Sequence, residues 1–150
     1  MQKGGQVVMF TGSYEHSVDA KGRLIIPSRF RDELGERFIV TLGLDGCLFL
    51  YSEERWEAFM TELMNMPGTA ETRKLQRYFM AYASECEPDK QGRVLIPQKL
   101  RAKVGIQTDV VLVGVITKIE VWAKETWEKN DDYDGMEDIA EHLAQYNLKF

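Results

Sequence analysis

A nine-residue stretch written twice constrains this chain more than any other feature. Asp19-Ala20-Lys21-Gly22-Arg23-Leu24-Ile25-Ile26-Pro27 returns as Asp89-Lys90-Gln91-Gly92-Arg93-Val94-Leu95-Ile96-Pro97. The register holds beyond it: Arg31 answers to Arg101, Leu34 to Val104 and Gly35 to Gly105. A repeat at about half of 150 residues is too long for a solenoid unit and suits a duplicated small module. Each half alone is near the size at which a core barely sustains folding. The expectation is one domain over residues 9–150, made of two pseudo-symmetric repeats (about 13–55 and about 83–126) that share a core and are joined by helices.

Local signals fill in each repeat. Residues 9–18 read as extended. In Asp-Ala-Lys-Gly-Arg the glycine sits where a tight turn wants positive φ, and Leu24-Ile25-Ile26 follows as a strand. Pro27 ends that strand, Ser28 is placed to cap a short helix, and Gly35 closes it. Residues 38–42 and 47–51 form a hairpin around Gly43-Leu44-Asp45-Gly46. Ser52-Glu53-Glu54 starts a helix with Trp56, Phe59, Met60 and Leu63 on one stripe, ending before Pro67-Gly68. A second helix over about 70–83 spaces Leu75, Phe79 and Tyr82 along one side, with Arg73, Lys74 and Arg77 on the other. The second copy repeats the plan: turn, strand 94–96, short helix to Gly105, strands 110–115 and 119–122, and a helix from about Glu125 carrying Trp127. In the acidic tail, Met136, Ile139, Ala140 and Leu143 make one apolar face, which predicts a packed helix. Residues 1–8 show no pattern and read as a disordered leader or scar before a second start at Met9.

Charge distribution says more than net charge. The total of −5 argues mildly against nucleic acid, yet residues 71–103 hold eight basic side chains against four acidic ones, whereas 119–150 hold nine acidic against three lysines. Segregation of this kind can put a positive face on a negative protein, and the face selects the partner. Hydrophobic residues at 44% and charged residues at 29% are ordinary for a globular chain, and no apolar run approaches a membrane span, so no membrane association is expected. Cys47 and Cys86 stand alone without ligands at metal spacing, which makes a reducing cytoplasmic setting the default and leaves no metal site.

The duplicated turn is the place for chemistry. Its aspartate can accept turn amides and also pair with the arginine four residues on, holding the guanidinium in one orientation. A planar guanidinium suits phosphate and the O6/N7 edge of guanine. Two such turns about a pseudo-two-fold would set Arg23 and Arg93 side by side. The alternative is that each pair only braces its hairpin, although an exposed ion pair contributes under about 1 kcal/mol. Lys21 and Lys90 are placed for sequence-independent attraction to phosphate or are solvated turn lysines. Arg31 and Arg101 are either helix-surface charges or further DNA contacts, and Arg73, Lys74 and Arg77 read as a solvated or subunit-contacting face. His16 and His142 belong to no zinc or nucleophile motif, and the glycines form no phosphate cradle. No catalytic residue, cofactor or small-molecule substrate is therefore expected.

Met-Phe-Thr-Gly-Ser-Tyr from Met9, the two Asp-x-x-x-Arg turns, Ser-Glu-Cys-Glu-Pro from Ser84 and Ile-Glu-Val-Trp from Ile119 together resemble the bacterial MraZ family. The resemblance runs from Met9 to about Phe150. It implies an α+β fold, a pseudo-two-fold duplicated AbrB-like (SpoVT-type) swapped-hairpin β-barrel with flanking helices. It also implies a cytoplasmic, nucleoid-associated transcriptional regulator that binds double-stranded DNA at short direct repeats upstream of its own division and cell-wall operon. Ring-shaped homo-oligomers of eight or twelve subunits come with it. The family's DNA-contacting motif falls on Asp19, Lys21, Gly22 and Arg23, and on Asp89, Lys90, Gly92 and Arg93. Arg31 and Arg101 are candidate additions. The competing expectation is an AbrB-like protein–protein module of the antitoxin type. Such antitoxins usually carry one copy of the fold and a disordered tail, and the two copies and patterned tail here point away from it.

Overall fold

The computed structural model describes residues 9–150; the leader expected over residues 1–8 lies outside the described residues. In chain order the elements are β1 (Ser13–Ser17), β2 (Arg23–Ile25), α1 (Ser28–Leu34), β3 (Phe38–Leu42), β4 (Leu48–Ser52), α2 (Glu53–Met64), α3 (Ala70–Ala81), β5 (Ser84–Cys86), β6 (Arg93–Leu95), α4 (Gln98–Lys103), β7 (Asp109–Val115), β8 (Lys118–Ala123), α5 (Lys124–Asn130) and α6 (Met136–Leu143), followed by a short 3-10 turn.

The strands exchange partners between the repeats. One antiparallel sheet runs β1-β7-β8-β4-β3-β5, and β2 pairs with β6 in a separate two-stranded ribbon. The first strand of repeat one thus lies on the sheet of repeat two (Ser13 opposite Val113), and the first strand of repeat two lies on that of repeat one (Phe38 opposite Cys86). The pairing pattern is unchanged when the repeats are interchanged. Its local axis passes through the self-pairs Leu24–Val94 in the ribbon and Phe49–Glu120 between β4 and β8. This is the duplicated swapped-hairpin α+β architecture.

Strand alternation divides the apolar residues between two cores. Leu48 and Leu50 of β4 point to the ribbon side, where they join Leu24, Ile26, Val94, Ile96, Phe30, Leu100, Leu112 and Ile119. Cys47, Phe49 and Tyr51 point the other way and meet Leu63 of α2, Phe79 of α3 and Trp122 of β8. With one face on the ribbon and short helices and the other under α2 and α3, β3 is buried along its whole length. The expected stripe of Trp56, Phe59, Met60 and Leu63 packs in the second core. Ser52 caps α2 by accepting from the Arg55 amide at 3.2 Å, so the acidic start lies where the sequence sets it.

Three local expectations change. Ser28 is the first helical residue of α1 rather than its cap; Pro27 takes the cap position with no side-chain bond, and its carbonyl receives the Phe30 and Arg31 amides. Leu75 is 40% exposed, because α3 turns Phe79 and Tyr78 to the sheet instead. The tail does form a helix, α6, but none of its residues is buried, and Met136, Ile139 and Leu143 are 40–47% exposed. Its apolar residues join neither of the two cores.

Candidate nucleic-acid interface

Each Asp-x-x-x-Arg segment closes on itself through its aspartate. In the first, the Gly22 amide donates to the Asp19 carbonyl and the Asp19 amide to the Arg23 carbonyl, both at 2.9 Å. Gly22 has φ +83°, a left-handed conformation that side chains disfavour, and it ends the turn as in a G1-bulge loop. Asp19 Oδ1 accepts from the Lys21 and Arg23 amides at 2.9 Å each, and Oδ2 accepts from Arg23 Nε at 2.8 Å. The second copy repeats these bonds. Asp89 Oδ1 takes the Gln91 and Arg93 amides at 2.9 Å, and Oδ2 takes Arg93 Nε at 2.8 Å. Backbone donation from Arg23 and Arg93 is the chief influence holding the two carboxyls below the ordinary aspartate value, with the guanidinium bond adding to it.

These ion pairs are about one-third exposed, so their contribution to stability is small and their effect is on orientation. Engaging Nε on the carboxylate keeps the two Nη groups of Arg23 for an acceptor outside the turn. The copies differ here: one Nη of Arg93 also donates to Gln91 Oε1 at 3.2 Å, where the first turn has Lys21. Lys21 and Lys90 are both exposed on their turns.

The ribbon brings the two turns into one surface. Leu24 and Val94 pair at its centre and point inward, 0% and 1% exposed. The other face therefore carries Arg23 and Ile25 on one strand and Arg93 and Leu95 on the other. Arg23 lies opposite Leu95, and Ile25 opposite Arg93. The arginines are diagonal neighbours, roughly 7–8 Å apart between backbones, rather than directly side by side. Because the strands are antiparallel, their turns stand at opposite ends of the ribbon. Ile25 and Leu95 complete this outer face. By sequence they are simply strand residues, and the period-2 alternation with Leu24 and Val94 inward is the signal that separates them.

Arg31 and Arg101 come to the opposite repeat's turn. A Cβ on Gly92 would lie 2.8 Å from Arg31 Cζ, and one on Gly22 would lie 2.8 Å from Arg101 Cζ. Arg101 Nε also donates to the Ile96 carbonyl at 2.9 Å. Both side chains are partly buried, so the geometry is that of a clamp on the turn backbone. Arg73, Lys74 and Arg77 are exposed on α3, which packs on the sheet face away from the ribbon; Arg73 donates back to the Gly68 carbonyl at 3.1 Å. Lys99 and Lys103 of α4 lie over the Tyr82 ring, 5.0 and 5.6 Å from its centroid. Cys47 and Cys86 are buried free thiols. Among the described residues no three His, Cys, Asp or Glu side chains come together in a way that could hold a metal ion, and no helix is long and apolar enough to cross a membrane.

Comparison with known proteins agrees with this arrangement. A family model described as "MraZ protein, putative antitoxin-like" matches twice, over residues 9–78 and 79–148. A protein of Lachnoclostridium phytofermentans named transcriptional regulator MraZ is 58% identical over 142 residues, which is 95% of this chain and all of that protein. Proteins of the same name from Caldicellulosiruptor bescii and Thermoanaerobacter sp. are 55% and 50% identical over 143 residues, 93% of this chain and all of theirs.

Proposed function

Since the chain belongs to the MraZ family, we propose that it is a DNA-binding transcriptional regulator that reads short direct repeats upstream of its own division and cell-wall operon. The observation that carries this reading is the doubled brace. Two aspartates hold two arginines by the same bonds at the same distances, on the one ribbon face that is not core. A duplex major groove is wide enough to admit a two-stranded ribbon. Arg23 and Arg93 then supply forked donors for base edges, while Lys21 and Lys90 supply phosphate attraction that fixes register without selecting sequence. No cofactor, metal or small-molecule substrate enters this mechanism.

Residues 9–150 act as a single pseudo-symmetric unit in this reading. Several units in a ring-shaped homo-oligomer would present many such ribbons to neighbouring repeats, raising avidity without tightening any one contact. The protein would work in the cytoplasm on the nucleoid. Sedimentation velocity tests the ring, and loss of dependence on the number of DNA repeats would remove the avidity.

The central experiment is a fluorescence-anisotropy titration of the DNA upstream of this gene, with wild type and Arg23→Ala at two salt concentrations. Binding with a clear salt slope that Arg23→Ala largely abolishes is the expected result. Equal binding by both proteins would move the reading surface elsewhere, first to the basic side of α3. Absence of binding by either would favour the antitoxin-type alternative, for which the exposed apolar side of α6 offers a protein-contacting surface.

A further inference from the structure

The outer face of the ribbon is not purely cationic. Ile25 is 46% exposed and Leu95 is 60% exposed, although the inner neighbours Leu24 and Val94 are sealed in the core. The flanking bonds, Ile26 amide to Gly92 carbonyl at 3.2 Å and Ile96 amide to Gly22 carbonyl at 2.9 Å, fix which pairs are which. They make Arg23–Leu95 and Ile25–Arg93 the non-hydrogen-bonded pairs, where side chains of an antiparallel ladder approach most closely. Each arginine is thus partnered across the ribbon by one branched aliphatic side chain, and the arrangement occurs twice about the local axis.

We infer that Ile25 and Leu95 are specificity-determining residues that read thymine 5-methyl groups in the major groove, beside the bases contacted by Arg93 and Arg23 respectively. This rests on the reading of the turns as the DNA-binding heads. Charge identifies the occupant. An aliphatic pair set between two arginines and two exposed turn lysines suits a polyanion whose groove also offers apolar groups. In the major groove the thymine methyl is that group, and it tells T·A from C·G. Rigidity supports the assignment: the inner side of the same strands is core, so the aliphatic tips are held at a fixed height relative to the guanidinium groups. A target element in which a guanine lies next to a thymine, presented twice with approximate two-fold symmetry, follows from this geometry.

The test uses the full-length protein and a duplex it selects from a random-sequence pool. Every thymine in that duplex is then replaced by deoxyuridine, which removes the methyl and leaves pairing unchanged. Wild type should bind the uracil duplex roughly fourfold more weakly per contacted methyl, the value of one buried carbon (about 0.8 kcal/mol). The double variant Ile25→Ala, Leu95→Ala should bind both duplexes equally, with the wild-type salt slope and an unchanged thermal melt. Equal wild-type binding to both duplexes would overturn the inference while leaving the arginine reading intact, and so would a double variant that still prefers thymine. A double variant that loses self-association rather than thymine preference would reassign the pair to a protein contact. If wild-type binding to the selected duplex is unaffected by Arg23→Ala, the reading of the turns falls, and this inference with it.

Discussion

The guanidinium of Arg31 occupies the space into which a side chain on Gly92 would extend, and Arg101 stands in the same relation to Gly22. Each turn is therefore clamped by an arginine from the other repeat. The two clamps are not equal: Arg101 Nε donates to the Ile96 carbonyl, whereas Arg31 Nε is buried without a hydrogen-bond partner. Glycine is required at 22 and 92 for two reasons, positive φ and the close approach of that guanidinium.

Gly92→Ala should destabilise the protein by about 1–3 kcal/mol, from a left-handed backbone and a displaced guanidinium. In an Arg31→Ala background the same change should cost less, since the displaced group is gone. Arg101→Ala should cost roughly 1 kcal/mol more than Arg31→Ala, the net value of its extra hydrogen bond. Urea denaturation of the four variants measures all of these.

The ribbon's two faces should respond oppositely to truncation. Leu24→Ala opens a cavity in the main core, with an expected loss of about 2–5 kcal/mol. One residue on, Ile25→Ala removes an exposed side chain, and the change should stay within about 0.5 kcal/mol. Thermal or chemical melts of the two variants would check the sidedness of the strand without reference to DNA.

Asp19 and Asp89 are held below the ordinary aspartate value, chiefly by the arginine amides of their own turns. A carboxyl whose folded pKa is depressed contributes fully above the unfolded value, about 3.9, and loses that contribution as pH falls through the lowered folded value. The braces should therefore persist at neutral pH and release only below about pH 4. Carboxyl-carbon NMR titration should show both midpoints below that of a free aspartate, and Arg23→Ala should move the Asp19 midpoint upward while leaving Asp89 in place.

Burial pushes the Cys86 thiol up to about 12, and burial together with the charges of Glu120 and Asp45 also pushes Cys47 up. The thiolate is the reactive form. At pH 8 neither cysteine should react with a thiol reagent in the native protein, and both should react once urea unfolds it. Rapid native labelling of either would contradict the packing around it.

Ile116 adopts φ +60° at the β7–β8 turn, a conformation costly for a β-branched residue; in the longer β3–β4 loop the non-glycine residue with positive φ is Asp45, at +67°. Paired hydrogen bonds with Phe10, both at 2.9 Å, hold Ile116 there. Its side chain is 58% exposed, so little burial is lost on substitution. Ile116→Gly should raise stability by up to about 1 kcal/mol, because glycine adopts positive φ without the Cβ clash, and a higher melting temperature would show it.

Much of the fold was legible because its signals are local. The Asp19–Arg23 and Asp89–Arg93 turns involve bonds between residues two to four apart, and Ser52 reaches its helix three residues on. The helical stripe of α2 and the hairpin around Asp45 follow from spacing and turn chemistry in the same way. Ser28 misled because a good capping residue is a preference, and Pro27 with its own carbonyl already satisfies the helix start. The apolar side of α6 misled because spacing shows that a helix has such a face but not that a core includes it.

The sequence by itself determined that the chain is a doubled module, where each copy turns, and which arginine each aspartate holds. Those properties depend on backbone geometry and hydrogen bonds spanning a few residues. Tertiary structure alone decided that β1 crosses to β7 and β5 to β3, that Arg31 and Arg101 clamp the opposite turns, and that Ile25 and Leu95 share an outer face with Arg23 and Arg93. These partners lie about 45 to 100 residues apart in the chain, and their pairing is set by which apolar faces can be buried together. A local pattern does not contain that choice.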